Sequence, residues 1–254
     1  MKSSRQKEII QILQQDKLVN TLRLAQQFGV SLETIRRDLN HLEHIGMIRK
    51  VYGGAELVDS NENPWPSLSV RQGSNRAAKM AIAEEAIKYV PDSGVIALDA
   101  GTTIAELCPL LAGRTDLTII CSDIHSAAVL AQAKSNRVYM MGGFLTGDGT
   151  SDGSFSKEFF SGISEITAFI CSCDGVDFEN GLTSNYLGIN ELKRRYLKKA
   201  RTRILLADHS KFSQKGVYKV CSLLDINMLI TDRETPVSII RRMEELGIQV
   251  VVTG

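Results

Sequence analysis

The sequence predicts an α/β domain with a mostly parallel sheet, preceded by a small helical unit at the N-terminus. Three observations carry this. Helical periodicity dominates the first 45 or so residues, strand and helix signals alternate from Asn75 onward, and the charge balance changes between the two parts. Residues 1–56 hold 9 Lys and Arg against 6 Asp and Glu, net +3, whereas the remainder holds 21 against 23, net −2. A chain of 254 residues with 43 % apolar and 23 % charged residues is long enough for a sizeable core and has an ordinary globular composition.

The opening Met1-Lys2-Ser3-Ser4-Arg5-Gln6 lacks the apolar run of a signal peptide, and no later apolar stretch is long enough to span a bilayer. A cytoplasmic protein without membrane contact is therefore expected. The five cysteines, Cys108, Cys121, Cys171, Cys173 and Cys221, lie in apolar segments and fit reduced core thiols better than a disulfide framework. Cys171-Ser172-Cys173 has no His or second Cys pair nearby, so neither a metal nor a cofactor is expected.

In the first 56 residues, Ile9, Ile10, Ile12 and Leu13 recur with helical spacing. Asn20 or Thr21 can cap a second helix that would bury Leu22, Ala25 and Phe28, and Gly29 supplies the turn after it. Ser31 then caps a third helix, in which Ile35, Leu39 and Leu42 form an apolar stripe at i, i+4 and i+7. Thr34, Arg36 and Arg37 fall off that stripe. A helix, a short Gly turn and a helix with a polar N-terminal face is the helix-turn-helix arrangement, whose second helix enters the major groove. After Gly46, the strand Ile48-Arg49-Lys50-Val51-Tyr52 before Gly53-Gly54 reads either as a wing against phosphates or as a lid on the helical core. Ser31, Thr34, Arg36 and Arg37 are thus the candidate operator contacts, with Arg49, Lys50 and Tyr52 on the DNA backbone.

Residues 57–75, with Pro64-Trp65-Pro66, read as a linker. Residues 76–254 then alternate. Strands are expected at 95–98, 117–121, 138–141, 166–171, 204–207, 228–230 and 248–252, and helices at 79–90, 104–111, 124–133, 186–200 and 237–246. Such sheets bind ligands at the carboxyl ends of their strands, and the polar motifs fall there. Asp99-Ala100-Gly101-Thr102-Thr103 follows one strand and opens a helix, a place for a phosphate or simply a helix cap. Ser122, Gly142-Gly143 and Asp174 end other strands. Lys211 is a ligand partner or a solvated loop lysine, and Lys193 a ligand contact or part of an exposed charged helix face.

Val30-Ser31, Thr34-Ile35-Arg36-Arg37-Asp38-Leu39, Leu42, Gly46, Arg49 and Tyr52-Gly53-Gly54-Ala55 resemble the N-terminal domain of the DeoR family of bacterial transcriptional regulators. The C-terminal motifs resemble the same family, so the likeness covers nearly the whole chain. Gly-Thr-Thr, Asp-Gly-Val-Asp and Asp-x-Ser-Lys are also similar to segments of ribose-5-phosphate isomerase. The resemblance implies a winged helix-turn-helix that reads double-stranded operator DNA, usually repressing a carbohydrate-catabolic operon. It also implies an isomerase-like effector domain relieved by a phosphorylated sugar. Because few side chains per helix reach bases, a homo-oligomer, dimer or higher, is expected. Two departures stand out. Gly181-Leu182-Thr183-Ser184 lies where the isomerase has a lysine, and Ile189 lies where many family members have a glutamate. A sugar-phosphate isomerase with a fused DNA-binding head is the alternative, and the missing lysine speaks against it.

Overall fold

The computed structural model describes residues 5–6, 8–9, 12–13, 16, 18–44, 48–51, 53–57, 68–133 and 135–254. The chain divides into two compact units, Met1–Ser74 and Asn75–Gly254.

In the first unit, the described residues between 5 and 16 are helical. They are followed by β1 (Leu18–Asn20), α1 (Thr21–Phe28), α2 (Leu32–His44), β2 (Ile48–Val51), β3 (Gly54–Leu57) and α3 (Leu68–Gly73). Thus a short helix lies within the stretch expected to be linker, and Pro64-Trp65-Pro66 lies outside the described residues. Asn20 caps α1 by accepting from Leu22 N at 2.8 Å, and Gly29 closes it in the left-handed conformation at φ 62°. The expected stripe of α2 is borne out: Ile35, Leu39 and Leu42 join Ile9, Leu13, Val19, Leu24, Ala25, Ile48 and Ala55 in one core. The expected face of α1 needs correction, because Leu22 is 54 % exposed and Leu24 is buried in its place. Leu24, Ala25 and Phe28 lie at i, i+1 and i+4, a stripe that excludes position 22.

The strands form an antiparallel sheet in the order β1-β3-β2. The β2–β3 hairpin pairs Arg49 with Glu56 and Lys50 with Ala55. β1 was not expected, and it dictates the wing's sequence. A Cβ on Gly54 would sit 2.0 Å from the Val19 carbonyl oxygen, so only glycine lets β1 approach β3.

The second unit contains helices α4 (Arg76–Ala86), α5 (Thr102–Leu111), α6 (Ile124–Leu130), α7 (Lys157–Gly162), α8 (Leu187–Lys199) and α9 (Val237–Glu245). Its strands are β4 (Gly94–Leu98), β5 (Leu117–Cys121), β6 (Arg137–Met140), β7 (Ile166–Cys171), β8 (Gly175–Asp177), β9 (Gly181–Ser184), β10 (Ala200–Leu206), β11 (Tyr218–Cys221), β12 (Met228–Thr231) and β13 (Gln249–Val252). Seven of them form a sheet in the order β13-β12-β10-β7-β4-β5-β6, every pair parallel. Period-2 alternation gives the sheet two apolar faces. Ala97, Phe169, Leu205 and Leu229 pack on one side with Tyr196 and Met243, and Ile96, Leu98, Ile170, Ile204 and Ile230 on the other with Ile82 and Leu107. All five cysteines are buried free thiols, as expected. A smaller antiparallel sheet, β11-β9-β8, was not anticipated. Among the described residues no helix is long and apolar enough to cross a membrane.

Replacing Gly54 with Ala should detach β1 from the wing and cost the first unit about 1–3 kcal/mol. Calorimetry of the full chain should then show the first unit's transition lowered and the second unit's unmoved.

Candidate nucleic-acid interface and ligand crevice

At the start of α2, the Ser31 hydroxyl accepts from Thr34 N at 3.2 Å and lies 2.9 Å from the Thr34 hydroxyl. Ser31 is therefore the expected cap, and it orients Thr34. Arg36 and Arg37 are both exposed. Arg36 lies 3.9 Å from Glu33, a loose solvent-facing pair, and Arg37 has no ion-pair partner among the described residues. Between these arginines and the core lies a residue whose role the sequence did not disclose. Asp38 is 3 % exposed and accepts from Arg5 Nε at 2.5 Å and Gln6 Nε2 at 3.1 Å. It ties the N-terminal helix to the middle of α2 and so fixes the angle at which Arg36 and Arg37 are presented.

The wing cations are engaged within the protein. Arg49 pairs with Glu56 at 2.6 Å, and Lys50 reaches Glu43 at 3.2 Å and Asn40 Oδ1 at 2.8 Å. A phosphate contact would have to compete with these carboxylates. Tyr52, also expected at the backbone, lies outside the described residues.

In the second unit the sheet order reverses direction between β4 and β7, since β5 and β6 extend to one side and β10, β12 and β13 to the other. The crevice beyond the carboxyl ends at such a switch point is where α/β sheets bind ligands. Here that crevice is charged. Asp99, 1 % exposed, follows β4, and its Oδ2 accepts from Ser172 N at 2.9 Å, Ser172 Oγ at 3.0 Å and Lys193 Nζ at 2.7 Å. Lys193 comes from α8, is buried, and also donates to the Ser172 carbonyl at 3.2 Å. Burial opposes its charge, but Asp99 and Asp174 prevail and raise its pKa above that of an ordinary lysine. Of the two readings of Lys193, the exposed charged face is thus ruled out.

Gly101 precedes α5, and a Cβ there would meet Ser172 Oγ at 2.5 Å. Its identity is set by this packing, and no side chain caps the first turn of α5. Thr103 is buried and Thr102 half-buried. Ser122, after β5, is 1 % exposed, with an Oγ that has no partner among the described residues. Asp174, after β7, accepts from Asn185 N at 2.7 Å. Lys211 is half-buried in the turn after β10, and the charges of Lys211 and Lys193 both act on the Cys173 thiol, although burial still pushes that thiol up to about 12. Gly143 is accounted for differently: a Cβ there would lie 2.2 Å from Asp152 Oδ1, so the loop at 152–154 explains it, while Gly142 faces open space. Ser172 belongs to this crevice yet escaped the sequence reading, because it was seen only as the spacer between two cysteines, whereas Asp208 opens the Asp-x-Ser-Lys motif that the sequence places at a strand end.

His209, Asp232 and Glu234 bring metal-ligand types together. Their geometry is that of a loop clamp, since Asp232 accepts from His209 Nδ1 at 2.9 Å, His209 N at 2.7 Å and Glu234 N at 2.9 Å. The segment Gly181-Leu182-Thr183-Ser184, where the isomerase has its lysine, is the buried strand β9 and offers no cation.

Removing one member of the buried pair leaves an uncompensated charge. Lys193→Met should destabilise the second unit by about 3–5 kcal/mol, and adding Asp99→Asn should recover most of the loss; urea titration of the native chain and the two variants measures both.

Two family descriptions match the chain: the DeoR-like helix-turn-helix domain over residues 5–61 and the DeoR C terminal sensor domain over residues 74–233. The HTH-type transcriptional regulator GolR of Listeria innocua is 33 % identical over 253 residues, covering 98 % of this chain and 97 % of the relative. The glycerol-3-phosphate regulon repressor of Haemophilus influenzae is 30 % identical, covering 98 % and 96 %. Among solved structures, a probable sor operon regulator from Shigella flexneri overlaps 68 % of this chain and 89 % of its own at a TM-score of 0.45 and 12 % identity. Ribose 5-phosphate isomerase A from Neisseria gonorrhoeae overlaps 53 % and 52 % at 0.40 and 18 % identity. The structural overlaps carry no weight in the assignment. The full-length relatives are regulators, so the isomerase alternative is set aside. On its matched head and sensor domains and its full-length relatives, the chain belongs to the DeoR family of DNA-binding transcriptional regulators.

Proposed function

We propose that this regulator represses a carbohydrate-catabolic operon and is released from its operator by a phosphorylated sugar bound at the β4/β7 switch point. The reading assigns operator binding to the first unit, and effector binding and oligomerisation to the second. The observation that carries it is the crevice itself, where a buried Asp99–Lys193 pair and the uncapped first turn of α5 lie at the switch point, with Lys211 in the turn that follows the carboxyl end of β10 in the same sheet. Free N–H groups at a helix start and a lysine suit a phosphate, and carboxylates with buried hydroxyls suit sugar hydroxyls. Asp99, Gly101, Thr102, Thr103, Ser122, Gly142, Gly143, Asp174, Lys193 and Lys211 form the effector set of this reading. Two relatives are named as repressors of the glycerol-3-phosphate regulon and of the aga operon, which supports control of sugar or polyol metabolism.

On DNA, Ser31, Thr34, Arg36 and Arg37 meet the major groove, with Arg49, Lys50 and Tyr52 on the phosphates. One such helix reads too few base pairs for tight specific binding, so two copies of the chain engage two half-sites.

Arg37→Ala should abolish the operator gel shift while circular dichroism stays that of the native chain; a retained shift would remove α2 from the interface. Titrating the operator complex with a panel of phosphorylated sugars should release DNA for at least one member. If no sugar changes operator affinity, the effector reading fails.

A further inference from the structure

The second unit begins at Asn75. Among the described residues only Asn75, at φ 51°, and Asp116 are non-glycine residues with positive φ. Left-handed backbone is unfavourable for most L-residues, though Asn tolerates it better than most, and it persists when surroundings hold it. Asn75 is held from two sides. Its carbonyl accepts from Lys79 N at 3.0 Å in the first turn of α4, and its side-chain amide donates to Asp208 Oδ1 at 2.9 Å. A carboxylate after β10 therefore sets the backbone through which the chain leaves the first unit.

Asp208 opens the turn that carries Lys211. Its Oδ1 is crowded, accepting also from Ser210 N at 3.1 Å and Ser210 Oγ at 2.5 Å. Its Oδ2 is buried and has no partner among the described residues, in a side chain that is 1 % exposed overall. Burial works against the charge, but the Ser210 hydroxyl, Lys211 and Asn75 keep the carboxyl below its ordinary pKa, so it is an anion with one oxygen unused. A buried acceptor without a donor is costly, and a hydroxyl brought by a ligand would satisfy it.

We propose that the Asn75–Asp208 hydrogen bond is the latch that couples the crevice to the DNA-binding unit. In the latched state Asp208 holds Asn75 in its left-handed conformation, and this is the backbone state assigned to operator binding. A ligand hydroxyl on Oδ2 draws the carboxylate away from Asn75, and the junction relaxes. Asn75 is thus a positioning residue that contacts neither ligand nor DNA. The inference rests on the ligand reading of the crevice. The coupling is energetic only if the two settings differ in their affinity for both partners.

The test is a double-mutant cycle on the full chain, read as operator affinity without any ligand. Asn75→Gly can still adopt the left-handed backbone but lacks the amide that holds it there, and Asp208→Asn weakens the acceptor. Each should lower operator affinity about tenfold, as loss of a charge-assisted hydrogen bond implies, and the double variant should be no weaker than either single one. Melting temperatures confirm that all three remain folded. A phosphorylated sugar that raises the melting temperature of the native chain should raise that of Asn75→Gly at least as much, since no latch bond has to be broken there, yet no longer change its operator affinity. Folded single variants that bind operator like the native chain, or losses that add in the double variant, would overturn the latch. If no phosphorylated sugar raises the native melting temperature, the ligand reading fails, while the ligand-free cycle still decides the latch.

Discussion

The buried pair of Asp99 and Lys193 is the interaction on which the construction of the second unit's crevice depends. It joins the end of β4 to the middle of α8 across the switch point, with Ser172 from β7 hydrogen-bonded to both. Two charges taken out of water cost several kcal/mol each unless geometry and further hydrogen bonds repay them, and a well-packed apolar pair would do the structural job more cheaply. Retaining charge at this depth makes sense where a polar ligand is received. The pair ties three elements together at the crevice floor and leaves it polar, which on the proposed function puts acceptors in place for sugar hydroxyls. Gly101 follows from the same arrangement, because Ser172 must sit where any side chain at 101 would be.

The first unit uses the same device on a smaller scale. Asp38, buried in the recognition helix, takes Arg5 and Gln6 from the N-terminal helix. The hydrophobic stripe of Ile35, Leu39 and Leu42 determines which face of α2 is inside, and Asp38 determines how that helix lies against its neighbour. Exposed Arg36 and Arg37 are then displayed at a fixed angle. On the function proposed above, each chain offers this helix to DNA and two copies share the operator.

The legibility of these features in the sequence follows the range of the interactions behind them. Ile35, Leu39 and Leu42 declare themselves because helical periodicity is local, and the strands of the large sheet do so because each is an apolar run between turn signals. Leu22 misled because α1 is only two turns long and a shift in phase exchanges its faces. The small sheet was invisible because β8, β9 and β11 are three or four residues each and β9 pairs with a strand far along the chain. Lys193 looked ambiguous for the same reason: its partner Asp99 lies on a distant strand, and no spacing rule links a helix lysine to it. Asp38 and Asp208 are visible in the sequence as members of motifs, but their burial is not, since burial of a carboxylate is decided by tertiary packing and not by its neighbours in sequence.

On the proposed function, one chain binds operator and sugar phosphate with opposed preferences. Linkage requires that each ligand weaken the other by the same factor. The most direct measurement is calorimetric titration of the phosphorylated sugar that most stabilises the chain, once into free protein and once into the operator complex. Sugar binding should be weaker to the operator complex, by the factor by which the sugar weakens operator binding, and equal affinities in the two titrations would contradict opposed preferences.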